Sequence, residues 1–173
     1  MKLLLTGDPH SGKSTLLSKI ISHIEKKQGF ITQEVLKNGE RVGFELVSSL
    51  NMRVKFATVE SSSEVRVSRY GLDIETLDNF LQDLPAINRD SLLYIDEIGQ
   101  MQLHSEIFRS LVKDYLEAPN YFIGTISKVY KDEFIKAIVD NNEVEIIKIT
   151  PQNRNQLESK IVTKLATKGY RVF

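Results

Sequence analysis

The hydrophobic positions of the chain form short continuous apolar runs that alternate with longer stretches of helical spacing. A short run of adjacent apolar residues is typical of a strand buried on both faces, whereas apolar residues three and four apart predict an amphipathic helix. Because the two patterns alternate, we expect an α/β fold whose mostly parallel sheet is covered on both faces. The runs predict strands at 3–5, 91–99, 121–127 and 144–149, and the spacing predicts helices at 15–24, 74–84, 105–117, 132–139 and 151–168.

One region departs from this alternation and predicts antiparallel strands. Two strand-like runs, 30–36 and 41–47, flank Asn38 and Gly39. An Asn-Gly pair between two extended runs is a strong signal for a β-hairpin. A third run at 54–59 is a candidate for a further strand of the same meander. The sequence therefore predicts a parallel sheet that is extended by an antiparallel hairpin.

Polar residues mark the ends of several elements. The segment 26–29 has the cations and the glycine of a helix end, and 61–73 is predicted to be an ordered loop or an edge strand. Asp73 is placed to cap the helix that follows it. Thr150 occupies the N-cap position of the last helix, with proline at the first helical position, and Gly169 closes that helix.

Composition narrows the class of protein. With 173 residues, of which 41% are hydrophobic and 27% charged, we expect one globular domain spanning residues 1–173. Lys plus Arg equals Asp plus Glu at 23 each, so no global field attracts nucleic acid or an anionic membrane, and we expect neither as a partner. The chain has no cysteine and no apolar leader, which predicts a cytoplasmic protein and leaves its oligomeric state open.

The first apolar run leads into a segment, Gly7 to Thr15, with the form GxxxxGK(S/T) of a phosphate-binding loop. Its two glycines let backbone N–H groups turn inward around an oxyanion. The lysine reaches the β- and γ-phosphates, the next hydroxyl ligates Mg²⁺, and the following helix adds its positive end. With a strand before it and a helix behind it, the segment predicts a P-loop NTPase three-layer fold. The predicted nucleotide-binding residues of the loop are Gly7, Asp8, Pro9, His10, Ser11, Gly12, Lys13, Ser14 and Thr15, with Lys13 also catalytic and Ser14 also a metal ligand.

Two adjacent acids, Asp96 and Glu97, end a predicted buried strand. Mg²⁺ is held by few protein ligands, so a phosphate loop needs an acid besides Ser14, and Asp96 has the position of a Walker B aspartate. We therefore predict Mg²⁺ as the cofactor, with Ser14 and Asp96 as its ligands. Glu97 is predicted to position or deprotonate an attacking water, which favours hydrolysis, since a small kinase does not need this second acid. An outer-shell or structural role for Glu97 is the alternative.

Three other side chains are weaker candidates. Glu34, on the strand after the first helix, is an alternative base, although a plain exposed strand position also explains it. Thr125 and Ser127 end the next buried strand and could contact the γ-phosphate or the attacking water. A hydroxyl that is satisfied within the protein explains these two equally well.

Four residues outside the loop complete the predicted site. A transferred phosphoryl group usually needs an arginine, and Arg66 and Arg69 in the polar segment are candidates by residue type, with surface ion pairing as the alternative. Asn153 and Arg154, at the start of the last helix, are predicted to contact the base or ribose if the last strand lies beside the first. Capping of that helix is the competing explanation for them.

Several segments along nearly the whole chain resemble one known family. They are Gly7 to Thr15; Gly29-Phe30 with Thr32, Glu34 and Val35; Arg41-Val42-Gly43-Phe44; Ser61-Ser62-Ser63 followed by Arg66-Val67 and Tyr70; Asp96-Glu97-Ile98-Gly99 with Met101; and Thr150-Pro151 with Asn153-Arg154. The family is that of the small P-loop nucleoside-triphosphatases first described in thermophiles, with an animal member called cancer-related nucleoside-triphosphatase. The resemblance implies slow, Mg²⁺-dependent hydrolysis of ATP, GTP and other nucleoside triphosphates by a single α/β domain.

The sequence departs from the family pattern at two places. The loop interior is Asp8-Pro9-His10-Ser11, where many members look more like Pro-Pro-Gly-Val, and Ser127 stands where a histidine is common. We predict a Mg²⁺-dependent nucleoside-triphosphatase of broad base tolerance that accepts ATP, GTP, CTP and UTP. The alternatives are a phosphotransferase that moves the γ-phosphate to a hydroxyl acceptor, and a nucleotide-switched binding module.

Overall fold

The computed structural model describes residues 1–128 and 131–173, and within them nine strands form one sheet. The strands are β1 (Lys2–Thr6), β2 (Lys27–Lys37), β3 (Glu40–Ser48), β4 (Arg53–Thr58), β5 (Arg66–Val67), β6 (Tyr70–Leu72), β7 (Leu92–Ile98), β8 (Phe122–Ile126) and β9 (Val144–Lys148). The helices are α1 (Lys13–Ser22), α2 (Ile74–Gln82), α3 (Glu106–Glu117), α4 (Glu133–Val139) and α5 (Arg154–Thr167), with a short 3-10 helix at Gln102–His104.

The order of the strands is β5-β6-β4-β3-β2-β7-β8-β1-β9. The strands from β2 to β9 in this order pair in parallel, and β3, β4, β6 and β5 extend the sheet by antiparallel pairing beyond β2. This confirms the predicted α/β fold with a parallel central sheet and an antiparallel extension. The extension is larger than a hairpin, because β4 joins it and the polar segment 61–73 supplies the two short strands β5 and β6.

Helices cover both faces of the parallel sheet. Alternate residues of β1 point to opposite faces, so Leu4 joins one apolar cluster while Leu3 and Leu5 join the other. The cluster of Leu4 contains buried residues of α2, α3 and α4, and the cluster of Leu3 and Leu5 contains those of α1 and α5. The result is the predicted three-layer arrangement. No helix in residues 1–128 and 131–173 is long and apolar enough to cross a membrane.

The segment 26–29 was expected to end the first helix, and this expectation is wrong. Helix α1 ends at Ser22, and β2 already begins at Lys27. Gly29 lies within β2 with φ +153°, and a Cβ added to it would lie 1.9 Å from the carbonyl oxygen of Tyr94 on β7. Glycine is therefore needed for the close approach of two paired strands rather than for a helix end.

The predicted cap of the last helix is wrong in position, because α5 begins at Arg154 and its N-cap residue, Asn153, makes no side-chain capping hydrogen bond. The Thr150 hydroxyl accepts a hydrogen bond from the Asn153 N–H at 3.3 Å, and the Asn153 side-chain oxygen accepts one from the Thr150 N–H at 2.9 Å. These reciprocal bonds hold a turn ahead of α5, which begins at Arg154. This turn lies directly after β9, at the edge of the sheet where the parallel strands end.

Candidate active site

The loop between β1 and α1 is tightly wound. Gly7 has φ +155°, and a Cβ there would lie 2.7 Å from the Ser11 hydroxyl and 2.8 Å from the carbonyl oxygen of Ile149. Gly12 has φ +96°, and a Cβ there would lie 3.1 Å from a guanidinium nitrogen of Arg154. Gly7 therefore leaves room that a side chain would fill, and Gly12 supplies a positive φ that other residues rarely adopt, as a phosphate-binding loop requires.

Lys13 lies across the opening of this loop. Its ammonium donates to the carbonyl oxygens of Gly7 and Asp8 at 3.1 and 3.2 Å. Because these are backbone oxygens of the loop itself, the ammonium is held beside the N–H groups that would surround a phosphate. The loop thus places a positive charge where the β- and γ-phosphates of a nucleotide would lie.

Asp96, near the end of β7, is 3% exposed and is bound by two hydroxyls. One of its carboxylate oxygens accepts a hydrogen bond from the Ser14 hydroxyl at 2.9 Å and another from the Thr125 hydroxyl on β8. Burial raises the pKa of Asp96, and the two hydroxyls and the charge of Lys13 oppose that rise. Thr125 is itself fully buried, so its hydroxyl serves Asp96 rather than a nucleotide.

Glu97 follows Asp96 and is half-buried. Burial raises the pKa of Glu97, the neighbouring charge of Asp96 raises it further, and Lys13 opposes the rise. Its carboxylate packs over Gly99, where a Cβ would lie 2.8 Å from Oε1. A carboxylate with a raised pKa is a better proton acceptor than an exposed one, which is the property that a general base needs.

A cavity of about 590 Å³ joins the loop, the two acids and the β2–β3 hairpin. Its walls are charged and polar, with one aromatic side chain, and they combine residues far apart in sequence. The lining residues are His10, Gly12, Lys13, Ser14, Thr15, Thr32, Glu34, Arg41, Phe44, Asp96, Glu97 and Arg154. Five of the nine predicted loop residues thus line the same space as Asp96 and Glu97, whereas Gly7, Asp8, Pro9 and Ser11 do not line it.

The Ser14 hydroxyl and the Asp96 carboxylate fit a magnesium ion. Both are oxygen donors, and their 2.9 Å contact shows that they converge on one point. In residues 1–128 and 131–173, no cluster of three or more histidine, cysteine or acidic side chains could hold a metal by itself. Mg²⁺ is commonly held by one or two protein oxygens together with water and substrate phosphates, which is the set that this site offers.

Arg66 and Arg69 do not line the cavity. The guanidinium of Arg66 donates to the carbonyl oxygens of Ser61 and Arg69 at 2.8 and 2.7 Å. Arg69 donates to the carbonyl oxygen of Arg41 at 2.5 Å and to the Tyr70 hydroxyl at 3.3 Å. Both arginines thus bind the backbone and side chains of the antiparallel extension, and their placement does not support direct contact with phosphate.

Other predicted residues divide between the cavity and its surroundings. Arg154 lines the cavity, whereas Asn153 lies behind it and donates to the carbonyl oxygen of Lys148 at 2.9 Å. Asp8 faces outward and pairs with Lys128 at 2.7 Å, and this lysine lowers the pKa of Asp8. Ser127 lines a separate cavity of about 530 Å³ beside α4.

Sequence reasoning missed Arg41, although the hairpin that carries it was predicted. Arg41 donates to the Glu34 carboxylate at 2.8 Å, and both side chains line the cavity. Glu34 and Thr32 share one face of β2 by the two-residue period of a strand, and Thr32 accepts a hydrogen bond from Gln102 at 3.0 Å. The available sequence signals were the two-residue period of β2 and the Asn38-Gly39 turn. Neither of them shows that this face of the hairpin lies toward the phosphate loop.

The sequence and the fold are similar to those of several known proteins. A family model described as NTPase matches residues 2–162. A nucleoside-triphosphatase THEP1 from Thermotoga sp. (strain RQ2) is 32% identical over 167 residues, covering 95% of each chain. The crystal structure of THEP1 from the hyperthermophile Aquifex aeolicus has a TM-score of 0.82 at 29% identity, covering 95% of this chain and 99% of that one. The solution structure of a human cancer-related nucleoside triphosphatase has a TM-score of 0.75 at 29% identity, covering 96% and 97%.

Proposed function

The chain belongs to the NTPase family and is a nucleoside-triphosphatase, and we propose that it hydrolyses ATP, GTP, CTP and UTP to the diphosphate and phosphate with Mg²⁺. The observation that carries this proposal is the contact of Ser14 with Asp96 at 2.9 Å, with Glu97 beside it in the cavity of the phosphate loop. Metal ligands, a base and a phosphate cradle lie around one space.

The nucleotide is bound through its phosphates. Backbone N–H groups of the loop and the N-terminus of α1 would surround the β-phosphate, and Lys13 would neutralise the β- and γ-phosphates. Ser14 and Asp96 would hold Mg²⁺. Bound there, the ion would neutralise charge on the phosphate oxygens. Arg154 lies over Gly12 and lines the same cavity, and it would contact the ribose or the base of the nucleotide.

Glu97 acts on the attacking water. The water oxygen forms a bond to the γ-phosphorus while the bond from that phosphorus to the bridging oxygen breaks, and the electron pair leaves with the diphosphate. Glu97 accepts the proton that the water loses. Its half-buried position and raised pKa support this role, and its place beside Asp96 keeps it next to the predicted metal site.

Broad base tolerance and slow turnover are the finer parts of the proposal. The cavity that holds the phosphates is lined mainly by charged and hydroxyl side chains, and no lining residue there belongs to a strict base-reading motif. The names of the relatives specify nucleoside triphosphates and no single base. The single domain spanning residues 1–173 and the cytoplasmic location stay predictions.

A phosphotransferase is the second candidate, because the cavity continues past the acids to the hairpin. Thr32 and Phe44 line this part and could frame a hydroxyl acceptor in place of water. The acid pair favours hydrolysis, since an acceptor held elsewhere would not need Glu97 at the phosphate loop.

Replacement of Glu97 tests the proposal. In Glu97→Gln we expect nucleotide and Mg²⁺ affinity to persist while turnover falls by about 10² to 10⁴, the usual contribution of a general base. Asp96→Asn should weaken the Mg²⁺ dependence as well as the rate. Glu45→Gln is the matched control, because Glu45 lies outside the cavity and pairs with Arg53 at 2.7 Å. The measurements are nucleotide titration and phosphate release at saturating substrate.

Hydrolysis by Glu97→Gln at the parent rate would contradict the assignment of the base. Glu34 would then be the next candidate, because it lines the same cavity. Loss of nucleotide binding in Glu97→Gln would instead indicate that the residue supports the site rather than the chemical step.

A further inference from the structure

Arg41, the second residue of β3, lines the cavity of the phosphate loop. Its Nη1 donates to Glu34 at 2.8 Å and its Nε donates to the Tyr70 hydroxyl at 2.9 Å. These two bonds use Nε and one of the two terminal nitrogens of the guanidinium. Among the described residues, Nη2 has no protein acceptor, so a donor remains for a ligand in the cavity.

The position of Arg41 is held by two aromatic side chains, of which Tyr70 is buried and Phe44 is partly buried. Its guanidinium lies 5.2 Å from the centre of the Phe44 ring and 5.8 Å from that of Tyr70, and the two rings meet edge to face. Tyr70 is 3% exposed and accepts a second hydrogen bond from Arg69. Arg69 also holds the carbonyl oxygen of Arg41. An arginine held in this way loses little side-chain entropy when it binds a phosphate oxygen.

The sheet order places Arg41 on the side of the acids. Strand β2 pairs with β7 so that Ile31 lies opposite Asp96, and β2 then continues past the end of β7 to Glu34. Arg154, the other arginine of the cavity, enters from the turn after β9, which lies beyond β1. The reacting γ-phosphate must face Glu97, and by strand order Arg41 enters the cavity from the side of β7, which carries Glu97, whereas Arg154 enters from the side of β1.

We propose that Arg41 binds the γ-phosphoryl group and stabilises its charge in the transition state, with Glu34 and Tyr70 as positioning residues. The proposal rests on the proposed hydrolysis and adds a residue to it. Charge spreads over the equatorial oxygens of the phosphoryl group as the bond to the bridging oxygen breaks, and a fixed guanidinium offers hydrogen-bond donors to them. Lys13 would bind the phosphates from the side of the loop, and Arg41 would bind the γ-phosphate from the side of the hairpin.

Arg41→Ala and Arg41→Lys test this role against Arg53→Ala. Arg53 is the matched control, because it forms the same kind of ion pair, with Glu45 at 2.7 Å, on the neighbouring strand and outside the cavity. We expect both Arg41 variants to lower kcat by about 10² to 10³ with little change in KM, the effect of removing a donor to a developing charge. Lysine should not restore the rate, since it lacks the planar fork. Arg53→Ala should keep the parent kcat.

A binding measurement separates this role from failure of hydrolysis. The probe is ADP with Mg²⁺ and aluminium fluoride, which resembles the transferring phosphoryl group, compared with ADP and Mg²⁺ alone. Arg41→Ala should weaken binding of the fluoride complex by at least about tenfold and leave ADP binding unchanged. Tyr70→Phe removes the hydroxyl that accepts from Nε and should lower kcat by about tenfold without raising KM.

Equal kcat and equal fluoride-complex affinity in Arg41→Ala and Arg53→Ala would overturn the proposal. It would also be overturned if Arg41→Ala raised KM and lost ADP affinity in proportion, because the residue would then act in the ground state. If the parent protein released no phosphate, the proposed function would fail, while the fluoride-complex comparison would still decide the role of Arg41. Arg41→Lys carries the test if thermal unfolding shows that Arg41→Ala is misfolded.

Discussion

Asp96 is buried among apolar strands, and its environment explains how a carboxylate is kept there. Burial disfavours its charged form, and hydrogen bonds from Ser14 and Thr125 favour it. Thr125 was identified from the sequence only as a strand-end hydroxyl with two possible roles. The structure shows that it donates to Asp96 and does not line the cavity, so it supports the predicted metal ligand.

The contacts of the Lys13 ammonium predict that this side chain is needed for hydrolysis and not for folding. Among residues 1–128 and 131–173, its ammonium binds only carbonyl oxygens of the loop, so Lys13→Ala should abolish hydrolysis while the free energy of unfolding changes by less than about 1 kcal/mol. Lys19→Ala is the control, because Lys19 lies on the same helix and is 54% exposed beside Glu158. Phosphate release and denaturant unfolding are the measurements. Turnover at the parent rate in Lys13→Ala would contradict the phosphate-loop assignment.

The residues that could be predicted individually are those whose role follows from local spacing. The loop from Gly7 to Thr15 has a fixed pattern, and Asp96 ends a buried strand. Arg41 has no such signal, because its role depends on which strand lies beside β7. Residue type alone favoured Arg66 and Arg69, whose guanidinium groups bind backbone oxygens of the extension instead.

At the scale of elements, the contact between β2 and β7 sets how far the hairpin reaches over the site. Gly29 allows this pairing, because the carbonyl oxygen of Tyr94 occupies the space where its side chain would lie. The sequence placed Gly29 at a helix end, since glycine after lysines is typical of one. Close approach between strands far apart in sequence has no local signature, so this boundary was wrong while the types of the flanking elements were correct.

Gly29→Ala should therefore destabilise the protein strongly. Its Cβ would lie 1.9 Å from a backbone oxygen, and relief requires separation of β2 from β7, at a cost of about 3 kcal/mol or more. Gly39→Ala is the matched control: Gly39 also has a positive φ, +79°, but its Cβ would meet no atom within 4 Å. We expect Gly39→Ala to lose about 1 kcal/mol from backbone strain alone. Equal losses in denaturant unfolding would show that the strand contact is not the cause.

At the scale of the whole molecule, the site exists because sheet order brings distant segments to one edge. The phosphate loop follows β1, the acids lie near the end of β7, and the hairpin and the start of α5 line the two sides. Alternation of strands and helices predicted the layers and the parallel sheet. It does not give the order of strands, because pairing depends on packing between segments that no local pattern connects.

Tolerance for different nucleotide bases depends on the whole cavity and therefore on the arrangement of the whole molecule. The phosphate end of the cavity is built from charged and hydroxyl side chains that bind any nucleoside triphosphate alike. Rates for ATP, GTP, CTP and UTP should therefore agree within about tenfold, or roughly 1.4 kcal/mol. Phosphate release from each nucleotide at saturation is the measurement. A thousandfold preference for one base would refute broad tolerance.

Hydrolysis and phosphotransfer differ in the phosphoryl acceptor, which is water in hydrolysis. The source of the oxygen atoms in the released phosphate shows whether water was that acceptor. ATP and Mg²⁺ are incubated with the protein in water enriched in oxygen-18, with and without nucleosides and nucleotides as candidate acceptors. We expect inorganic phosphate that carries one solvent oxygen, at a rate that the acceptors do not raise and that chelation of Mg²⁺ abolishes. Transfer of the γ-phosphate to an acceptor without labelled phosphate, or no phosphate release at all, would contradict the proposed function.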